Sequence, residues 1–230
     1  MVRQYIQRPL EIVTTISSDS PDDLFLTCAS FEERCTNSIS KLDKNYRTRV
    51  ALIVRFHGRD RKSRESVQDN INYLKGMLTN KLSSTNSQVY VVDCDKEDPL
   101  DGFIKVEEIL QSEKFVSTNK NITVDISTFT KEYLLVLFNL LNISKNRVRV
   151  LYTRGEQYDK ELSWGVKSVG SVPFYNGYHT SDSKDLLVIF CGYEGHRSYA
   201  IWESCEPDKT FAIIGTPDEY ESDKPIWGLE

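Results

Sequence analysis

Short, nearly continuous apolar runs alternate along the chain with stretches in which apolar residues recur every three or four positions. The runs at 24–29, 49–56, 89–93, 122–126, 148–153 and 186–191 predict strands, and their lack of polar alternation is that of strands covered on both faces. Between the second and third runs, Val67, Ile71, Leu74 and Leu78 fall at spacings of four, three and four, which lines one face of a helix. Residues 133–141 are apolar on most of the helical circumference and predict a helix held between the sheet and a further layer or partner. Asp98-Pro99 ahead of 100–110 reads as a helix start, and the Ser- and Asn-rich 81–87 as a loop. Strands that alternate with helices in this way build βαβ units around a parallel sheet.

The rhythm breaks at 154–184, where Gly155, Gly165, Gly170, Pro173 and Gly177 interrupt any period, although 166–174 could form a strand or hairpin arm. It then starts again. Asp23-Leu24-Phe25-Leu26 leads into Ser30-Phe31-Glu32-Glu33-Arg34, and Asp185-Leu186-Leu187-Val188 leads into Gly192-Tyr193-Glu194-Gly195-His196-Arg197. Each turn is followed by a helical stretch (35–42; 198–205) and a second strand (50–54; 211–214), which reads as an internal repeat, although strand-to-helix turns are stereotyped enough to look alike by chance. The expected fold is α/β: a Rossmann-like parallel sheet with helices on both faces over 1–153, a connection over 154–184, and an abbreviated second Rossmann-like unit over 185–230. An abbreviated unit, with aromatic residues such as Tyr220 and Trp227 after it, leads us to expect a protein partner or a homo-oligomer.

Composition narrows the classes of function. The 230 residues carry 29 basic and 34 acidic side chains, a net charge of −5, so nucleic acid is not the default partner. Five cysteines are odd in number and widely spaced, as in reduced thiols, and three scattered histidines with no CxxC pair predict no structural metal. No cofactor is expected. The first 17 residues lack a signal-peptide pattern and no apolar run reaches membrane-spanning length, so no membrane association is expected and the cytoplasm is the expected location. Dinucleotide, P-loop and nucleophile-elbow motifs do not occur.

Candidate chemistry therefore rests on the loops that leave the strands, where open α/β sheets bind ligands and helix N-termini favour anions. After the first strand, Ser30 can cap the helix, Glu32 or Glu33 sits in its first turn, and the Arg34 guanidinium can fork onto a phosphate or a carboxylate. The same residues also read as a plain capping box, Ser30 with Glu33. After the fourth strand, 125–131 gathers Asp125, Ser127, Thr128, Thr130 and Lys131. Hydroxyls and helix N–H groups can hold a phosphate that Lys131 neutralises, while Asp125 accepts from ribose hydroxyls or shapes the loop. An ordinary cap by Ser127 or Thr128 is the simpler alternative.

This loop resembles the Asp-x-Thr/Ser-Gly-Gly-Thr-Lys signature of CRISPR-associated Rossmann-fold (CARF) domains. Asp125, Ser127, Thr130 and Lys131 fall on matching positions, while Thr128 and Phe129 stand where that family has paired glycines. The resemblance spans seven residues in their strand-to-helix context. It implies a regulatory role in prokaryotic antiviral defence, with a nucleotide or cyclic oligonucleotide as ligand.

Three further features are weaker. The stretch 55–64 packs six basic or imidazole side chains into ten residues, which fits a phosphate clamp or a solvated loop. In the repeat turn, Glu194 with His196 could pair as acid and base, and Arg197 occupies the place that Arg34 has in the first copy. Cys35, near a helix start, is expected to have a lowered pKa. The leading expectation is a nucleotide-sensing or regulatory component whose ligand contacts are Ser30, Glu32, Arg34, Asp125, Ser127, Thr130, Lys131 and Arg197. The rivals are a nucleotide-processing enzyme, a glycosidase or phosphoryl-cleaving activity using Glu32, Glu194 or Asp125, and a scaffold subunit of a larger complex.

Overall fold

The computed structural model describes residues 12–56, 61–95, 98–113, 115, 119–155, 166, 169–178, 180, 182–191 and 195–214, with only the backbone of residue 196. The chain divides into two compact units, 1–156 and 157–230, and each is described by itself.

In the first unit the apolar runs are strands and the periodic stretches helices: β1 (Asp22–Ala29), α1 (Arg34–Ser40), β2 (Thr48–Phe56), α2 (Arg61–Thr79), β3 (Gln88–Cys94), α3 (Leu100–Ser112), β4 (Asn121–Asp125), α4 (Lys131–Leu140) and β5 (Arg147–Leu151). All five strands pair in parallel, in the order β3-β2-β1-β4-β5. This is the expected Rossmann-like α/β sheet with flanking helices. The central strand β1 pairs with β2 on one side and β4 on the other, and its residues 24–29 are essentially solvent-free.

Alternation along the strands sorts their side chains between two faces. Phe25 and Ala29 of β1, with Ala51 and Ile53 of β2, meet Ile39 of α1 and the predicted α2 stripe of Val67, Ile71, Leu74 and Leu78. On the opposite face, Phe103, Val106 and Leu110 of α3 and Tyr133, Val136 and Leu137 of α4 are buried, and the Tyr133 ring stands edge-on to Phe56 of β2. Close approach of α3 to the sheet depends on Gly102. A Cβ there would run into the Tyr133 hydroxyl and the Cys94 thiol. Helix α4 is less enveloped than its composition implies, because Leu135 on its outer side is exposed.

The N-terminal edge of the sheet is tied by a buried polar knot. Asp22 accepts 2.6 Å hydrogen bonds from the Tyr46 hydroxyl and from the Thr123 hydroxyl of β4. Burial, with the Asp22 carboxylate as the next cause, holds the Tyr46 phenol well above its ordinary value.

Among its described residues the second unit is a single βαβ turn: β6 (Leu186–Cys191), α5 (Gly195–Cys205) and β7 (Lys209–Ile214), with the two strands parallel. Its order repeats β1-α1-β2, as the internal similarity implies. Among the described residues of 166–174 there is no strand, where the sequence allows a strand or hairpin arm; the Val172 carbonyl instead accepts the Tyr175 N–H at 3.0 Å in a turn, and residues 167–168 lie outside the described residues. Tyr220 and Trp227 lie outside the described residues. Among the described residues, no helix is long and apolar enough to cross a membrane.

Candidate functional site

The winding of the sheet reverses between β1 and β4. The chain passes outward from β1 through β2 to β3, then crosses back over the sheet to lay β4 on the other side of β1. Loops leaving two such neighbouring strands diverge to opposite faces and open a crevice between them, where ligands of open α/β sheets sit. The two loops that leave β1 and β4 are 30–34 and 125–131, both marked out by their polar residues.

Asp125, the last residue of β4, is 1% exposed. Its two oxygens are both engaged: Ser38 of α1 donates to Oδ2, and Ser127 donates to Oδ1 through its hydroxyl and, at 3.0 Å, its backbone N–H. Burial pushes the Asp125 carboxyl above its ordinary value, against the pull of these hydrogen bonds and of the Arg34 charge. That pull places Arg34, from the first loop, within electrostatic reach of Asp125, from the second. Ser127 is equally committed, because its Oγ also accepts the Thr153 N–H at 2.8 Å. Thr128 donates its hydroxyl to the Cys28 carbonyl at 2.9 Å and so stitches the loop to β1. Asp125, Ser127 and Thr128 thus build the loop.

The cap of α4 is Thr130, whose hydroxyl accepts the Tyr133 N–H at 3.4 Å; neither Ser127 nor Thr128 serves. Extended backbone at Thr130 allows this, with the side chain turned over the first turn. Lys131, the first helical residue, is exposed, beside helix N–H groups that have no partner within the helix.

In the first loop the expected capping box is not made. Glu33 occupies the cap position of α1 in helical conformation with no side-chain cap, and the chain enters the helix through short turns, Cys35 N–H to the Glu32 carbonyl and Thr36 N–H to the Glu33 carbonyl. Ser30 is buried and its Oγ accepts only a long 3.5 Å bond from Glu32 N–H, while its carbonyl takes the Asn70 amide of α2 at 2.8 Å. Glu32 and Arg34 form a 2.6 Å ion pair at the rim. Phe31, just before Glu32, is half exposed, an aromatic face that belongs to the repeat turn but is not among the expected ligand contacts. Cys35 is fully buried and its thiol is pushed up to about 11, chiefly by burial, which overturns the expected lowering.

Of the basic stretch 55–64, residues 57–60 lie outside the described residues. Arg55 is bound to Asp93 of β3, and Arg61 pairs with Glu65 one turn along α2 at 2.9 Å. Arg197 lies exposed on α5 of the second unit. Glu194 and the His196 side chain fall outside the described residues. Among the described residues, no group of three or more His, Cys, Asp or Glu side chains is gathered as metal ligands.

Two structural partners escaped the sequence reading, Ser38 and Asn70. Each reaches the site from a helix that follows another strand or loop, and only the folded sheet brings it there. No family model, no curated protein and no solved structure matches this chain.

Proposed function

We propose that this chain is a nucleotide-sensing, regulatory component of a prokaryotic antiviral defence or signalling system. It binds a small phosphate-bearing ligand, a nucleotide or cyclic oligonucleotide, in the crevice between the ends of β1 and β4. One observation carries the reading. The strand order puts the reversal of winding at the same two strand ends from which the polar loops 30–34 and 125–131 depart.

Chemistry supports binding ahead of turnover. Two of the carboxylates that an enzyme would use are engaged, Asp125 by Ser38 and Ser127 inside the protein and Glu32 by Arg34 at 2.6 Å. What the crevice offers a ligand is cationic and aromatic: Lys131 at the start of α4, the Arg34 guanidinium in exchange for its Glu32 contact, and the exposed Phe31 ring for a base to stack on. The resemblance of 125–131 to the CARF signature adds the class of ligand. In that role Asp125, Ser127 and Thr130 shape the loop and cap the helix, and Arg34 and Lys131 neutralise the phosphate.

The test is thermal stabilisation of the purified chain by mononucleotides and cyclic oligonucleotides, since a ligand at a hundred times its Kd adds about 2.7 kcal/mol. The expected result is a rise in Tm that Lys131→Ala and Arg34→Ala each diminish. No rise with any of these ligands would overturn the reading, and a rise untouched by both substitutions would remove the ligand from this crevice.

A further inference from the structure

Among the described residues of the second unit, one face of the sheet is bare. In the parallel register of β6 and β7, Val188 lies opposite Phe211 and Phe190 opposite Ile213, with Leu186 at the start of the same row. Paired residues of neighbouring strands project to the same side, so these five side chains form one continuous face. Phe190 is 78% exposed and the other four between 44% and 57%. The alternate residues Leu187, Ile189 and Cys191 are half-buried, and α5 packs on β6.

A parallel sheet is ordinarily covered on both sides, as the sheet of the first unit is. Leu24, Leu26 and Cys28 hold the positions in β1 that Leu186, Val188 and Phe190 hold in β6, and they are buried on the side of the sheet that carries α3 and α4. The larger Phe in place of Cys28 makes the bare face of the second unit more apolar than its covered counterpart.

We propose that this face is the contact surface of a twofold homodimer, in which a second copy of the chain supplies the covering layer. Two properties of the surface select that occupant. At about 200 Å² for a whole side chain of this size, the exposed fractions amount to roughly 500 Å² of apolar surface on each copy. Two such faces together reach the ~1,000 Å² that a specific interface requires. Charge is the second property. At the start of the strands Lys184, Asp185, Asp208 and Lys209 surround a hollow of about 430 Å³ that Leu186 and Phe211 complete. Two cations and two anions on one rim are self-complementary, as a patch must be when a twofold axis sets it against itself. A partner carrying one sign of charge would gain nothing from such a rim. Lys209 lies 4.8 Å from the centre of the Phe211 ring, which holds its charge at the border of the apolar patch.

Sedimentation equilibrium of the full chain from low to high micromolar concentration tests the proposal. The expected result is a doubling of mass toward the upper end. Phe190→Asp should give a monomer throughout that range with unchanged circular dichroism, since so exposed a side chain contributes little to the fold of its own copy. Lys209→Glu, which spares the apolar patch but unbalances the rim, should raise the dissociation constant tenfold or more, with a larger effect at low salt. If Phe190→Asp loses its circular dichroism, Leu186→Lys at the edge of the patch reads the same contact. A wild-type chain that stays monomeric throughout would overturn the proposal, as would a dimer that survives both Phe190→Asp and Leu186→Lys.

Discussion

Ser38, in the second half of α1, donates its hydroxyl proton to Asp125 at the end of β4, a residue 87 positions further along the chain. With the Ser127 hydroxyl on the other carboxylate oxygen, this bond fixes where the loop after β4 stands against the helix after β1. The relative placement of the two loops is therefore tied to a buried acid, and the strength of that tie depends on the charge of the acid.

The sign of that dependence follows from the raised Asp125 value. In the window between the ordinary carboxylate value of about 4 and the higher folded value, the folded chain holds a proton that the unfolded chain has lost. The contribution of Asp125 to stability is thus full below the ordinary value and declines as pH rises through the folded one. Urea unfolding at a series of pH values should show a falling limb in that window, and Asp125→Asn should flatten it. Ser38→Ala removes a hydrogen bond to the ionised form, so it should move the limb to higher pH and lower stability at neutral pH by about 1–3 kcal/mol. An unaltered pH profile in Asp125→Asn would show that other groups produce the limb.

Thr27 lies on β1 between Phe25 and Ala29, and its buried hydroxyl has no hydrogen-bond partner among the described residues. Thr27→Val keeps the shape of the side chain and removes the unsatisfied group. It should stabilise the chain by about 1 kcal/mol, read as a higher urea midpoint with an unchanged slope. A loss of stability would mean that the hydroxyl is satisfied in solution.

Gly102 leaves no room for a methyl group between the Tyr133 hydroxyl and the Cys94 thiol. Gly102→Ala should therefore destabilise by about 1–3 kcal/mol, although alanine is the better helix former by about 1 kcal/mol. The paired variant Gly102→Ala with Tyr133→Phe, which clears the nearest obstruction, should recover part of the loss. Thermal unfolding of the single and paired variants measures both.

Cysteine accessibility gives a check on the packing of both units. Cys28, Cys35 and Cys94 are buried, and the Cys35 and Cys94 thiols are both pushed up to about 11, mainly by burial, whereas Cys205 is exposed at the end of α5. Brief treatment of the native chain with an alkylating reagent should modify Cys205 first, then the half-buried Cys191, and reach the three buried cysteines only on unfolding, as peptide mapping would show. Early modification of Cys35 would contradict the burial of α1 against the sheet.

The α/β class, the alternation of strands and helices and the inward stripe of α2 are all written in local order. A strand buried on both faces must be apolar throughout, and a helix resting on a sheet must repeat every three to four residues, so Leu24–Ala29 and Val67, Ile71, Leu74 and Leu78 could be read without a fold. The two loops of the candidate site were legible for the same reason, since polar residues directly after an apolar run mark a strand end. Tertiary structure alone decided which strand ends meet. Strand order depends on crossovers whose energy is not encoded in any short segment, and it was the placement of β4 beside β1 that brought 125–131 to 30–34. It also decided which polar groups are free. The hydroxyl of Ser127 and the thiol of Cys35 look available in the sequence, yet Ser127 is spent on Asp125 and on the Thr153 N–H from beyond β5, and Cys35 is sealed in the core by the packing of α1 against the sheet. Conversely, Phe190 reads as a core residue of a strand, and only the absence of a covering layer among the described residues leaves it in solvent. Local pattern determines what a segment can become, while burial and partnership depend on residues far along the chain, whose arrival is a property of the whole fold.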